Sequence, residues 1–287
     1  MPRHFLTGEE LSPTQQRALL DRAIELKADR LGSRALEGKS VALLFDKPST
    51  RTRVSFEVGV SELGGHPLVL RQGDLQLARG ESPRDTALVL SRMVHFVAVR
   101  TGPHEILEEL ARWASVPVIN MLTHEHHPCQ ALADLMTLLE RFGRLEGLKL
   151  AYVGDGNNMA RSLLLGGRLA GVEVVMATPP ELSLPEAPGL DPVEAVQGAH
   201  ALYTDVWVSM GDEAGAERRR ALLAPYRLDE ALLAHARDDA VVLHCLPAHP
   251  GEEITEELLY GDRSAVWDQA ENRLHAQKAL LELLTTE

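Results

Sequence analysis

The sequence predicts an α/β protein made of two doubly wound parallel-sheet domains joined by interdomain helices. Short apolar runs typical of buried strands alternate with segments of helical pattern along almost the whole chain. Three helical segments also begin with a cap residue that is followed by proline, at Ser12, Ser82 and Asp191. This alternation is typical of βαβ units, in which helices cover both faces of a parallel sheet.

The predicted strands are short and apolar, as expected for strands buried on both faces. They lie at residues 41–45, 96–99, 116–119, 148–153, 172–177, 201–206 and 241–246. Residues 130–142 have the pattern of a long helix, and we place the domain boundary there, with domains at 1–143 and 144–270. The periodic residues 272–284 predict a terminal helix, and segment 271–287 is expected to pack back on the first domain.

Composition narrows the class of protein. The 287 residues are 45% hydrophobic, which is enough to fill two cores. The formal net charge of −13 argues against a nucleic-acid or anionic-membrane partner, so an anionic substrate needs a local cationic pocket. We find neither a bilayer-length apolar run nor a secretory segment, and Cys129 and Cys245 do not suffice for a disulfide framework. These observations predict a cytoplasmic protein.

Residues 49–53, Ser-Thr-Arg-Thr-Arg, lie between a predicted strand and an amphipathic run. Pro48 biases Lys47 toward extended backbone, so the strand should end here and a helix should begin. Free backbone N–H groups and the helix dipole favour an anion at such a start, and an arginine there can grip phosphate through two parallel hydrogen bonds. The alternative for this segment taken alone is a helix cap followed by surface arginines.

The other strand ends also carry polar residues, and ligands of open α/β sheets collect at the carboxyl ends of strands. These ends are Arg100-Thr101, His-Glu-His-His-Pro-Cys-Gln at 124–130, Gly-Asp-Gly-Asn-Asn at 154–158, Asp-Val-Trp-Val-Ser-Met-Gly at 205–211 and His-Cys-Leu-Pro at 244–247. Each motif alone is a weak signal. Their order along one chain is a strong one.

In that order the motifs resemble the aspartate/ornithine carbamoyltransferase family over essentially the whole chain. The Asp-x-x-x-Ser-Met-Gly motif at Asp205 and the His-Cys-Leu-Pro motif at His244 resemble the ornithine branch. The resemblance implies a carbamoyl-phosphate domain followed by an ornithine domain, with the active site in the cleft and shared between subunits of a homotrimer. It also implies carbamoyl transfer to the δ-amine of L-ornithine, giving L-citrulline and phosphate in arginine biosynthesis, without a cofactor.

The resemblance assigns one group of residues to carbamoyl phosphate. They are Ser49, Thr50, Arg51 and Thr52 for the phosphate, Arg100, His127 and Gln130 for the carbamoyl group, and Gln76 and Arg273. Arg100 and His127 would stabilise the carbonyl oxygen as it becomes negative. Arg273 is expected to add positive charge from the far side of the cleft. Gln76 is expected to reach the neighbouring subunit's site, and the alternative is a solvated loop residue.

A second group is assigned to ornithine: Asn158, Asp205, Ser209, Met210, Cys245 and Leu246. Asn158 is favoured over Asn157, Met210 would act through its backbone, and the Leu246 carbonyl would accept from the δ-amine. Cys245 would lie beside that amine with Asp205 as charge partner, either as base or as orienting group. Considered alone, Asp205 has the alternative of a helix cap, and a buried cysteine the alternative of inert packing.

Three alternatives compete with this reading. His124, His126 and His127 with Cys129 suggest a metal site, but consecutive histidines point in different directions, so no metal is expected. Gly154-Asp155-Gly156 after a strand suggests dinucleotide binding, but Met159 occupies the position of the third glycine. Within the family, the acceptor could instead be putrescine or an acylated ornithine. Pro250, which follows the His-Cys-Leu-Pro motif, departs from a basic residue found in some relatives.

Overall fold

The computed structural model describes residues 4–208 and 215–286. By the density of contacts the chain divides into two compact units, Met1–Met136 with Glu271–Glu287, and Thr137–Ala270. We refer to them as unit 1 and unit 2. The division falls within two long helices, so neither boundary coincides with a loop.

Unit 1 contains a four-stranded, wholly parallel sheet in the order β2-β1-β3-β4. Its strands are β1 (Ser40–Phe45), β2 (His66–Arg71), β3 (Phe96–Arg100) and β4 (Val118–Leu122). The helices that begin in its sequence are α1 (Pro13–Ala28), α2 (Arg51–Glu62), α3 (Pro83–Leu90), α4 (His104–Trp113) and α5 (Pro128–Phe142). Because all four strands run in the same direction, the segments after β1, β3 and β4 meet at one edge of this sheet.

Unit 2 repeats this plan, with a parallel sheet in the order β6-β5-β7-β8. Its strands are β5 (Lys149–Val153), β6 (Glu173–Ala177), β7 (Ala201–Thr204) and β8 (Val241–His244). The remaining helices are α6 (Asn158–Ala170), α7 (Pro192–Val196), α8 (Ala216–Leu223), α9 (Glu230–Leu233), α10 (Glu256–Tyr260) and α11 (Val266–Thr286). The predicted fold class is confirmed.

The helix starts follow the chemistry expected from the sequence. Ser12 and Gln15 form a reciprocal capping box at α1, and the Ser82 hydroxyl accepts the Asp85 N–H at α3. The Asp191 carboxylate accepts from the N–H groups of Val193 and Glu194 at α7. All three predicted starts are confirmed.

Strand β2 was not predicted. Its sequence, His-Pro-Leu-Val-Leu-Arg, carries a proline at the second position and is only partly buried. Proline has no N–H to donate, and a central strand uses its N–H groups to bond neighbours on both sides. Pro67 is tolerated because β2 lies at the edge of the sheet and has a neighbour on one side only. An edge strand also lacks the uninterrupted apolar run that identified the central strands.

Helix α11 begins at Val266, before the predicted residue 272. Buried polar residues hide its apolar periodicity: Gln269 accepts the His244 N–H at 2.9 Å, and Asn272 accepts from Lys27 at 2.8 Å. In residues 4–208 and 215–286, no helix has the length and apolar character required to cross a bilayer.

Candidate active site

Helix α2 of unit 1 begins at the Ser-Thr-Arg-Thr-Arg segment, after β1 has ended at Phe45. Thr50 occupies the cap position, but its side chain makes no capping hydrogen bond. The first N–H groups of α2 are therefore not satisfied by that hydroxyl, which is the condition for an anion to bind there. Arg53 pairs with Glu57 on the helix surface, whereas Arg51 lies at the first helical position.

His127 lies at the centre of a cationic cluster in unit 1. The side chain is buried directly before α5, and burial together with the charges of Arg273, Arg100 and Arg51 holds its pKa well below the ordinary value. Because burial and the three nearby cations all disfavour the imidazolium, the neutral form dominates and can donate or accept a hydrogen bond without adding charge. Local positive charge is thus concentrated in a chain whose net charge is −13.

Arg273 joins the strand-end motifs of unit 1. Its Nη2 donates to Thr52 Oγ1 at 2.6 Å, its Nη1 donates to Gln130 Oε1, and Arg100 Nη1 lies 3.4 Å from the same threonine oxygen. The expectation that Arg273 acts from the far side of the cleft is wrong, because α11 returns the residue to unit 1. Its charge therefore belongs to the cluster formed by Arg51 and Arg100.

The Gln130 side chain is fixed at both ends. Its oxygen accepts from Arg273, and its Nε2 donates to Asp134 Oδ1 at 2.8 Å. Both Gln130 and Asp134 are fully buried in α5. Gln76 lies on a short 3₁₀ turn and is exposed, a position that suits either a partner subunit or solvent.

The histidine-rich segment is organised by hydrogen bonds. The Thr123 hydroxyl accepts the His126 N–H at 3.2 Å and contacts His104 Nδ1 at 2.9 Å, while His124 is exposed. Cys129 donates to the Asn120 carbonyl, and burial raises the pKa of its thiol to about 12. A neutral, buried thiol of this kind is a packing residue.

In unit 2, Asp205 follows β7 and joins two other strand ends. Its Oδ1 accepts from Cys245 Sγ at 2.9 Å, and its Oδ2 accepts from Asn157 Nδ2 at 2.8 Å. Among the described residues, the helix that follows Asp205 is α8, which begins at Ala216 with Gly215 at its cap, so Asp205 does not cap that helix. Asp205 instead holds the thiol of Cys245 and an asparagine amide.

Asn157 has a structural role at the start of α6. Asn157 Oδ1 accepts from the N–H groups of Met159 and Ala160 and from the Tyr152 hydroxyl at 3.1 Å. Tyr152 is buried, and burial together with the charges of Asp205 and Asp155 raises its pKa well above the ordinary value. A neutral phenol can therefore donate to Asn157 at every physiological pH.

The residues around Cys245 are held by a buried histidine. His244 Nδ1 accepts the Leu246 N–H at 2.8 Å, so its Nε2 carries the proton and donates to Glu253 at 3.1 Å. Both ring nitrogens are thus engaged within the protein, and Leu246 is held at a φ of +61°. The thiol of Cys245 pairs with Asp205.

The metal alternative based on the histidine-rich segment receives no geometric support. Within the described ranges, one set of three His, Cys, Asp or Glu groups brings its ligand atoms within 4.8 Å of one another, and it is Asp205, His244 and Cys245. Both nitrogens of that histidine already make hydrogen bonds, so a metal would have to displace them. Ser209 and Met210 of the predicted ornithine site lie outside the described residues.

Models of two domains match the chain in order. The aspartate/ornithine carbamoyltransferase carbamoyl-P binding domain matches residues 3–140, and the Asp/Orn binding domain matches residues 146–284. The chain belongs to the aspartate/ornithine carbamoyltransferase family. The resemblance drawn from the sequence motifs is therefore confirmed.

Individual carbamoyltransferases of this family resemble the chain along nearly its full length. Ornithine carbamoyltransferase of Acidothermus cellulolyticus is 52% identical over 302 residues, covering 99% of this chain and 97% of the relative. The structure of ornithine carbamoyltransferase from Pyrococcus furiosus superposes with a TM-score of 0.93 at 47% identity, covering 98% of this chain and 96% of the other. That from Thermus thermophilus gives 0.92 at 47% identity and 99% coverage of both.

Family membership contradicts the dinucleotide-binding alternative, and the structure explains the glycine motif that suggested it. A Cβ at Gly156 would lie 2.3 Å from the Leu182 carbonyl oxygen, which already accepts the Gly156 N–H. The glycine is needed for this close backbone approach within unit 2.

Sequence reasoning missed the residues that hold the predicted site residues in place: Asp134, Asn157, Tyr152, Glu253 and His244. Asn157 and His244 belong to the quoted motifs, whereas Asp134, Tyr152 and Glu253 lie outside them. A buried carboxylate in an apolar helical pattern, such as Asp134, was the available signal, since such a group needs a partner.

Proposed function

We propose that this carbamoyltransferase-family chain transfers the carbamoyl group from carbamoyl phosphate to the δ-amine of L-ornithine, giving L-citrulline and phosphate. The observation that carries the choice of ornithine is the 2.9 Å hydrogen bond between Cys245 and Asp205, two residues of the ornithine-branch motifs. In this proposal the segment 1–143 with 271–287 binds carbamoyl phosphate, and the segment 144–270 binds ornithine.

The phosphate is held at the start of α2 by Ser49, Thr50, Arg51 and Thr52. The N–H groups at the start of the helix and the Arg51 guanidinium provide hydrogen bonds to its oxygens. Arg100 and His127 donate to the carbamoyl oxygen, where negative charge develops as the amine attacks. The low pKa of His127 suits this role, because a neutral imidazole donates without competing with the arginines for charge. Removing one such donor costs about 3–4 kcal/mol of barrier in comparable enzymes.

The carbamoyl –NH₂ group needs acceptors, and the Gln130 oxygen is one. Arg273 already donates to that oxygen, and a carbonyl oxygen has a second lone pair for the substrate. Gln76 is proposed to serve the site of a neighbouring subunit.

Asp205 pairs with the α-ammonium group of ornithine, and Asn158, Ser209 and the Met210 backbone hold the α-amino and carboxylate ends. Cys245 and the Leu246 carbonyl face the δ-amine. The neutral amine forms a bond to the carbamoyl carbon, the carbon–oxygen bond to phosphate breaks, and the proton lost by the amine ends on the released phosphate. Because ornithine's side-chain amine resembles that of lysine, its reactive form is a minority at neutral pH.

The proposal also includes the oligomeric state and the metabolic pathway of the protein. A homotrimer, or a multiple of it, would allow Gln76 to reach a neighbouring site, and the reaction fits cytoplasmic arginine biosynthesis. The catalytic groups are all protein side chains, so no cofactor is invoked.

Putrescine or an acylated ornithine is the competing acceptor within the family. Thermal-shift measurements with carbamoyl phosphate, ornithine, putrescine, aspartate and NAD distinguish these readings. We expect stabilisation by carbamoyl phosphate and by ornithine, each added alone, and little stabilisation by putrescine, aspartate or NAD. Stabilisation by putrescine or aspartate but not by ornithine would refute the proposed acceptor.

Activity is expected to rise with pH. The neutral form of an amine with a pKa of ~10.4 increases about tenfold per pH unit between about pH 6 and 9, so kcat/KM for ornithine should increase with it. His127 adds no opposing change there, because its pKa lies well below the ordinary value and the imidazole is already neutral across this pH interval. Steady-state rates at saturating carbamoyl phosphate test this expectation, and a flat profile would contradict it.

A further inference from the structure

A continuous chain of buried hydrogen bonds crosses unit 1 from Thr52 to Asp134. Arg273 donates to Thr52 at 2.6 Å and to the Gln130 oxygen, and the Gln130 nitrogen donates to Asp134 Oδ1 at 2.8 Å. The residues are 0–3% exposed, so bulk water does not compete for these bonds. One neutral amide is thus placed between a guanidinium and a carboxylate.

The two charged groups give this amide a single orientation. A guanidinium carries donors only and a carboxylate accepts only, so the amide oxygen must face Arg273 and the –NH₂ group must face Asp134. The flipped amide would set donor against donor and acceptor against acceptor at fully buried positions. Such unsatisfied groups carry their full desolvation penalty.

We infer that Asp134 is a positioning residue that fixes the polarity of Gln130 and thereby makes the site selective for an –NH₂ group on the acyl carbon of the donor substrate. This inference rests on the proposed function, in which Gln130 contacts the carbamoyl group. Asp134 binds the donor end of the amide, so the free lone pair of the acceptor end is the one offered to the substrate. A carbamoyl –NH₂ group donates to that oxygen, whereas the methyl group of acetyl phosphate has no proton to donate.

Equilibrium binding measures this selectivity without any reaction. Calorimetry gives the affinities for carbamoyl phosphate and acetyl phosphate, and their ratio is the preference. The affinity for inorganic phosphate reports on the phosphate site alone. We expect the protein to prefer carbamoyl phosphate over acetyl phosphate by about tenfold, the effect of one hydrogen bond. In Asp134→Leu the two affinities should become nearly equal, within about twofold of each other. The affinity for inorganic phosphate should change by less than about threefold.

Three variants separate positioning from general stability. Gln130→Ala should lose the same preference, and Gln130→Ala with Asp134→Leu should lose no more, because the two residues act through one contact. Glu62→Leu is the matched control: Glu62 bonds buried Lys278 in the same unit, so its loss should lower the melting temperature and leave the preference unchanged. Asp134→Asn retains a weaker, neutral acceptor, and its preference should fall about threefold.

A folded Asp134→Leu protein with the full preference for carbamoyl phosphate would overturn the inference. If Asp134→Leu does not fold, Asp134→Asn decides, and an unchanged preference in that variant overturns it equally. Because binding is measured without an amine, failure of the protein to make citrulline would refute the proposed function and leave this result standing.

Discussion

Replacing Arg51 with alanine is expected to abolish measurable binding of carbamoyl phosphate and to leave the melting temperature nearly unchanged. Arg51 is the first residue of α2, and its charge contributes to the lowered pKa of the buried His127. Two charge-assisted hydrogen bonds of about 1.5–3 kcal/mol each correspond to a loss of at least about 100-fold in affinity. The acidic chain has no diffuse positive field to compensate for the lost charge.

Arg53→Ala is the control for this experiment. Arg53 lies two positions along the same helix and pairs with Glu57 at 2.8 Å, with both side chains more than a third exposed. Such a surface pair contributes about 0–1 kcal/mol to stability and should not affect binding. Titration calorimetry on both variants is the measurement, and near-native affinity of Arg51→Ala would refute the phosphate site at α2.

The second large effect is expected from Asp205→Asn, which should lower kcat/KM for ornithine by at least about 30-fold. Removing one partner of a hydrogen-bonded charge pair typically costs about 2–5 kcal/mol. Asn keeps one acceptor oxygen, which can serve either the Asn157 amide or the Val206 N–H, and an –NH₂ group replaces the other oxygen, so we expect a folded protein with a modest loss of stability. Carbamoyl phosphate affinity should change little, since the residues proposed for that substrate belong to unit 1.

Asp191→Ala provides the contrasting control. Asp191 caps α7, so its loss should reduce the free energy of unfolding by about 1 kcal/mol without a kinetic effect. Rates and melting temperatures measured on the same preparations separate the two patterns. A lowered melting temperature with unchanged kinetics in Asp205→Asn would show that Asp205 is structural.

The central strands and the starts of α1, α3 and α7 could be predicted from sequence because each depends on a local signal. Buried parallel strands are continuous apolar runs, and proline with a cap residue marks a helix start. Strand β2 has neither feature: it is an edge strand with Pro67 at its second position. Its existence depends on pairing with β1 rather than on its own residues.

The residues of the candidate site also fall into two groups, those whose position follows from the sheet topology and those whose position depends on tertiary packing. Motif residues such as Arg100 and Cys245 lie at strand ends, and topology alone places strand ends on one edge of a sheet. The position of Arg273 depends on how a helix that begins in unit 2 returns to unit 1, and no local pattern encodes that path. Asp134 and Asn157 act by fixing other side chains, and such contacts are set by packing, which periodicity does not reveal.

The most direct test of the proposed activity is the balance of products from carbamoyl phosphate and L-ornithine. The purified protein should form citrulline and inorganic phosphate in equal amounts, and putrescine should react with a kcat/KM about 10⁴-fold lower, because groups built for the amino-acid carboxylate would remain unpaired. Phosphate release without citrulline, or comparable rates with putrescine, would contradict the account.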